Sequence, residues 1–446
     1  PHDELRRQRQ MCIRDRGFKV CLNCMNVVNR MPVDAVAAAG LVGLECASYA
    51  HLRLHSNETI FAMVDALIEG HGTMDPDEFA EMEQAFGMKY EPHALLFNQC
   101  LRQFILPSDH LLQDPMHILA NDGVANTQCA CVLTALVACG IGPDHVKNYA
   151  LRFTLPKKHG TVDATWFSKS RISTNKMTIS SFAGIMISMV LITATFLTTQ
   201  IPPLVREAMA DHIQCFLYLY RIMQLIWLGP DDAMRYIDDL KRLIEAHHAL
   251  YSTLYPDFIK PKYHKLMHVV HNMAYLKKCL TCFATERKHR TAKRAALYVF
   301  RHIESTVVAD LVDKQCTNMI NGMNLFETNF LITPDVVLED AHLSLQRANA
   351  AVLRCGEIKR KDVVCLKSDH RIVVGEVVAF WCNAAANDNS IIAQINAYRQ
   401  TGEDDALWDS REPRQSFHSA IAIIDAVPHA VETEGVIRAI LPFIVF

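Results

Sequence analysis

Hydrophobic and polar positions change their spacing several times along this chain, and each change marks an expected element boundary. Residues 17–58 carry short apolar pieces of β character, FKVCLNCMNVV foremost, set among cysteines and histidines. Over 59–139 the spacing becomes helical, through AMVDALIEG and DEFAEMEQAF, and ends in the apolar run CACVLTALVAC. A long block, 140–275, stays mostly helical. In AMRYIDDLKRLIEAHHALYSTLY the positions Met234, Ile237, Leu240, Leu243 and Ile244 repeat as one buried helix face requires. Helical spacing continues over 281–351, through ERKHRTAKRAALYVFRHIESTVVADLV. After Gly356 the period shortens to that of strands. DVVCLKSDHRIVVGEVVAFWC, SIIAQINAYRQ, SFHSAIAIIDAVPHAV and GVIRAILPFIV are short β-branched pieces broken by Gly, Asn and Asp, which predicts a small all-β barrel over 356–446. No repeat of solenoid length is visible.

One stretch admits a membrane reading. Between Met177 and Val205 there is no charged residue, and 182–197 is strongly apolar. A spanning helix needs about 20 predominantly apolar residues. Here Ser180, Ser181, Ser188, Thr193, Thr195, Thr198 and Thr199 interrupt the run, Pro202-Pro203 closes it, and charge flanks it evenly. A buried core helix is expected, with a transmembrane span as the competing reading.

Composition narrows the class. Half of the 446 residues are hydrophobic and 21% are charged, with 17 Gly and 17 Pro. Those proportions exclude a disordered chain, a collagen-like repeat and a low-complexity linker, and leave two or three globular domains. With a net charge of −3, any nucleic-acid surface must be a local patch on a near-neutral body. The 15 cysteines lack the spacing of a small secreted scaffold and fit a reducing interior with one metal-binding pair. Residues 1–16 stand apart. Their basic string LRRQRQMCIRDR has no signal-peptide order and resembles a translated sequencing-adapter read-through, so the genuine chain is expected to start near Gly17 and to be truncated upstream.

Several residues could carry chemistry. Cys21 and Cys24 form a CxxC knuckle, the spacing that lets two thiolates reach one tetrahedral zinc. The nearest candidates for a second pair are Cys46, His51 and His55, and a pair of half-buried thiols is the alternative. Asp114 and His117, in LLQDPMHILANDGVAN, can share one helical face and bind a hard cation or organise water. Equally, Asp114 can cap a helix whose first residue is Pro115. Asp122 lies in an NDG turn and reads as structural. Glu286 sits in the densest basic run after residue 16, with Lys277, Lys278, Arg287, Lys288, Arg290, Lys293 and Arg294. That run can lie along phosphates, or form a solvated helix face with Glu286 paired to Arg290. His264, His268 and His271 fall on one side of a helix, lining a polar groove or capping a core. No Walker loop, G-x-G-x-x-G, G-x-S-x-G or H-E-x-x-H occurs, which removes the usual nucleotide, hydrolase and zincin readings.

Taken in order from about Gly17 to Ala351, these segments resemble the transposase of CACTA (En/Spm-type) DNA transposons, in the divergent form found in dinoflagellates and other protists. GFKVCLNCMNVV is similar to that family's zinc knuckle, with HLRLHSNETIF downstream of it. DPMHILANDGVAN resembles its D-x-M-H signature, HALYSTLYPDFIKPKYHKLMHVVHNM its Y…P-K-x-H…H segment, and FATERKHRTAKRAA its closing acidic helix. The resemblance implies a mainly α chain with α/β character: an RNase H-like core remnant interrupted by a zinc ribbon (17–58) and a long helical insertion (140–275). Part of the core would fall at 59–139, the closing catalytic helix and a helical tail at 276–351, and an SH3- or BAH-like barrel at the C-terminus.

It further implies strand cleavage and transfer at transposon ends. Asp114 and Glu286 would hold Mg²⁺ or Mn²⁺ in a two-metal arrangement, the ions about 3.5–4 Å apart. A structural Zn²⁺ would sit on Cys21 and Cys24, with His55 the expected partner and His51 the alternative. His117, His264 and His268 would lie nearby, and the basic run from Lys277 would follow bound DNA. The implied setting is nuclear, without a membrane, with an oligomer possible and a chromatin or protein partner on the barrel. Two departures bear on activity: the family's first catalytic aspartate precedes the knuckle and has no counterpart here, and Thr285 stands where an aromatic residue is usual. A non-catalytic DNA- or chromatin-binding protein derived from such an element is the alternative.

Overall fold

Apolar residues recurring every three or four positions build the first half of the molecule. The computed structural model describes residues 21–29, 41–156, 161–163, 165–173, 175–227, 234–277, 279–280, 282, 308–309, 312, 330–340, 343–353, 356–368, 371–383, 390–401, 407–433 and 435–439. The chain gathers into two compact units, residues 1–143 with 169–282 and residues 144–168 with 283–446.

In the first unit, helix α1 (Asn57–Gly70) starts at Ser56, whose hydroxyl accepts from the Thr59 amide, and buries Ile60, Met63, Val64 and Leu67. Helix α2 (Pro76–Phe86) opens on Asp75 and Pro76 and stops at Gly87, which takes the left-handed conformation (φ 66°) of a C-terminal cap. Helices α3 (Val124–Ala138), α4 (Ala183–Thr199) and α5 (Ala210–Ile226) pack on one another. Helix α6 (Ile237–Leu254) lies on α5, and α7 (Pro261–Leu276) lies on α6. The periodicity expected for α6 is present: Leu240 and Ile244 are buried, and the same face continues through His247, His248 and Tyr251. Strand content is slight. Strand β1 (Val27–Val28) runs parallel to β2 (Val42–Gly43), and β3 (Ile172–Ser173) forms a hairpin with β4 (Thr178–Ile179). Among the described residues this unit holds no larger sheet.

Helix α4 is the apolar stretch that admits a membrane reading. Its Met186, Met189, Ile192, Phe196 and Leu197 are buried against protein. The hydroxyls of Thr195, Thr198 and Thr199 donate back to the carbonyls of Leu191, Ala194 and Thr195, whereas the buried Thr193 hydroxyl has no hydrogen-bond partner among the described residues. No single described helix is long and apolar enough to cross a membrane.

The second unit is built on an antiparallel sheet. Its strands are β5 (Val363–Ser368), β6 (Arg371–Asn383), β7 (Ile391–Gln400), β8 (Leu407–Ser419), β9 (Ile423–Ala426), β10 (His429–Thr433) and β11 (Val436–Ala439). Their order is β9-β5-β6-β7-β8-β11-β10, and Phe153–Thr154 adds a further strand beside β10. Strand β5 is buried on both faces because its side chains alternate. Val364 and Leu366 join Phe380 and Ile395 in one apolar cluster, and Val363 and Cys365 join Trp408 and Ile437 in another. The expected all-β C-terminal region is therefore an antiparallel sheet; closure into a barrel is not among the described pairings.

Two expectations need correction here. Residues 144–168 group with the sheet unit, although Pro143–Ala150 are helical as the spacing predicts. The predicted helical spacing over 281–351 gives way at Phe330–Ile332, Asp335–Asp340, Leu343–Ala348 and Ala350–Leu353, all of which are strands. The β-branched residues Ile332, Val336, Val337 and Val352 favour the strand form there.

Candidate metal centre

The CxxC knuckle is held by backbone before any metal enters. Cys24 bridges to Leu54, the His55 amide donates to Asn23 O at 2.9 Å, and the Met25 amide donates to Arg53 O at 2.7 Å. Asn26 ties the same two segments together: its Oδ1 accepts from the Arg53 amide at 2.9 Å, and its Nδ2 donates to His51 O at 2.8 Å. The stretch 51–55 thus serves the knuckle as a splint.

The other half of the site comes from α7. Pro261 fits the first turn of that helix, and His264 and His268, four residues apart, project from one buried face. His268 Nε2 lies 3.3 Å from Cys21 Sγ, 3.2 Å from Cys24 Sγ and 3.1 Å from His264 Nε2. All four ligand atoms fall within 4.8 Å of one another, and all four residues are buried. Around a tetrahedral zinc with bonds of about 2.0–2.3 Å, neighbouring ligand atoms stand roughly 3.3–3.8 Å apart. The observed spacings need only a slight expansion to admit the ion, and two thiolates would neutralise its charge in a buried position. The set fits zinc.

Electrostatics point the same way. The hydrogen bond with Cys24, and then His268 and His264, hold the Cys21 thiol well below its usual range, against the effect of burial. Burial keeps His264 below the ordinary imidazole range. Thiolate and neutral imidazole are the forms a zinc ion requires. Among the described residues His264 Nδ1 has no hydrogen-bond partner, so this ring is held by the group its Nε2 faces.

The partner assignment for the knuckle is thereby corrected. His51 is exposed, and His55 turns its Nδ1 to Thr59 Oγ1, 3.3 Å away at the start of α1. Neither belongs to the four-residue cluster. Cys46 also stands outside it, with its thiol directed to Ser48 O at 3.6 Å. The reason lies in the splint itself: pairing of 52–55 with the knuckle commits that segment's backbone and turns its histidines aside. His264 and His268 supply the second pair instead of lining a groove. Their four-residue spacing on a helix was the available signal, and 244 residues separate His268 from Cys24.

Asp114 behaves as a cap. Its Oδ1 accepts from the amides of Met116 (3.3 Å) and Cys282 (2.9 Å), and its Oδ2 from the His117 amide (3.2 Å) and from His117 Nδ1. Burial pushes its carboxyl up, but the His117 side chain and these amides outweigh it and leave the group below its usual value. Asp122 is a turn residue with φ 50°, accepting from Thr178 Oγ1 at 3.2 Å, in line with a structural role. Lys277 is exposed and forms the left-handed cap (φ 56°) of α7. Glu286 and the basic residues Lys278, Arg287, Lys288, Arg290, Lys293 and Arg294 lie outside the described residues.

Comparison with known proteins adds no relative: family models, curated proteins and solved structures each gave no match to this chain.

Proposed function

We propose that this chain is a transposase-like protein of CACTA descent that acts on DNA through a zinc-stapled helical unit. The observation that supports the reading is the convergence of its motif segments. The knuckle and the P-K-x-H…H segment, far apart in sequence, meet in one four-ligand cluster. The D-x-M-H segment meets the chain at Cys282, four residues before Glu286 in the sequence. Segments that carry a shared motif order and also meet in pairs are expected of one functional architecture, not of chance similarity.

On this reading Asp114 and Glu286 are the metal-binding carboxylates of an RNase H-like core, and Mg²⁺ or Mn²⁺ is the cofactor of cleavage at transposon ends in the nucleus. A second reading is DNA or chromatin binding without catalysis. It is favoured by the donors gathered at Asp114, which among the described residues are a histidine and a cysteine and include no second carboxylate.

The two readings separate in one experiment: terminal-repeat DNA is presented to the full chain with Mg²⁺ or Mn²⁺, and retention and nicking are scored together. Nicking abolished by Glu286→Gln is the result expected of the enzyme. Retention without nicking selects the binding protein. Neither retention nor nicking removes both readings.

A further inference from the structure

A second cluster lies in the same unit, away from the knuckle. The carboxylate of Asp114, the imidazole of His117 and the thiol of Cys282 present ligand atoms all within 4.8 Å of one another. These donors are oxygen, nitrogen and sulfur. Mg²⁺ takes oxygen ligands and retains much of its water, whereas a thiolate with an imidazole and a carboxylate suits zinc or a similar thiophilic divalent ion. We infer that Asp114, His117 and Cys282 form a second metal site, binding one Zn²⁺ with a fourth position open to solvent.

Three features carry this. The first is how the carboxylate is oriented. The amides of Met116, His117 and Cys282 occupy three of its acceptor positions and fix its plane; the position facing His117 Nδ1 is the one a cation would take. The second is the hydrogen bond from the Cys282 amide to Asp114 Oδ1 at 2.9 Å, which brings a residue 168 positions away to this carboxylate and its thiol with it. The third is access. The side chains of Asp114 and His117 retain 19% and 43% of their exposure, so an ion can load from solvent and keep a water. Three protein ligands and an open position describe a reactive zinc site, whereas the closed four-ligand set at the knuckle describes a structural one. One carboxylate, one thiolate and the ion sum to zero charge, which suits a half-buried setting.

The inference does not rest on the DNA reading, and it bears on that reading in one way. Zinc held here occupies the carboxylate that the transposase resemblance gives to Mg²⁺, so a filled triad favours binding over cleavage.

The test is metal stoichiometry on the full chain, using Zn²⁺ for counting and Co²⁺ for the thiolate-to-metal charge-transfer band. Two ions per chain are expected, with three thiolates contributing to the band. Cys282→Ser should remove one ion and about a third of the band intensity. His117→Asn, at a half-exposed position that folding tolerates, should reproduce the loss of one ion, which guards against a Cys282 variant that fails to fold. An excess of Mg²⁺ should leave the band unchanged. A chain that binds one ion only, or that keeps both ions in His117→Asn, overturns the inference. Neither outcome touches the DNA-retention assay.

Discussion

Two histidine pairs sit on neighbouring helices, both buried, and they have opposite fates. On α6, His247 and His248 are satisfied by protein. His248 Nε2 donates to Tyr263 O at 2.7 Å, and its Nδ1 lies 3.2 Å from His247 Nδ1. His247 Nε2 donates to Gln128 Oε1 at 2.8 Å, and Gln128 Nε2 in turn donates to the Cys215 thiol at 3.1 Å. Burial pushes His247 down to about 3 and holds His248 well below its usual range. On α7, His264 and His268 face two thiols, and one ring nitrogen has no partner among the described residues. Rings that donate to protein oxygens mark a core; thiols at ligand spacing mark a metal.

The contrast can be broken most forcefully at the knuckle. Structural zinc contributes roughly 10–16 kcal/mol in small zinc domains. Cys24→Ser should therefore strip the knuckle ion and collapse the cooperative melt of the helical unit. Metal analysis alongside calorimetry checks this, and an unchanged melt would discard the staple.

Acid is the next lever, and it acts on the other pair. His247 titrates near 3 when folded against 6.5 in the open chain, so between those values the unfolded state binds the extra proton. Its contribution is complete above pH 6.5 and is lost as pH falls toward 3, on the order of 5 kcal/mol in all. Urea titrations across that range should show a slope that His247→Gln reduces.

Truncation is milder. His247→Ala strands Gln128 and opens a cavity, costing about 2–4 kcal/mol, yet should leave metal content untouched. A loss of zinc in that variant would merge the two pairs into one system. Smallest of all, His51→Ala should shift stability by less than about 0.5 kcal/mol with no metal lost, since the residue is exposed. A loss of one ion in that variant would return His51 to the ligand set.

Legibility in the sequence followed the range of the interactions. Helix α6 was readable because Leu240 and Ile244 repeat within one window, and α4 because its apolar run ends at Pro202-Pro203, short of the length a span needs. The CxxC was readable as half a site. Its other half was not, because ligand identity depends on which helix packs behind the knuckle. The nearer histidines, His51 and His55, were attractive on distance along the chain alone. Cys282 went unread for the same reason: nothing local to KKCLTCF announces Asp114. The strands over 330–353 were obscured by helical spacing upstream, although DVVLED and AAVL carry β-branched residues.

The 244-residue reach from Cys24 to His268 also sets an order of events on the ribosome. At about 5–20 residues per second, roughly 12–50 s pass between synthesis of the thiols and arrival of the second imidazole. During that interval the knuckle is an open dithiol, exposed to oxidants and to the wrong ion, so a metal-loading or reducing helper would matter more to making this protein than to keeping it folded.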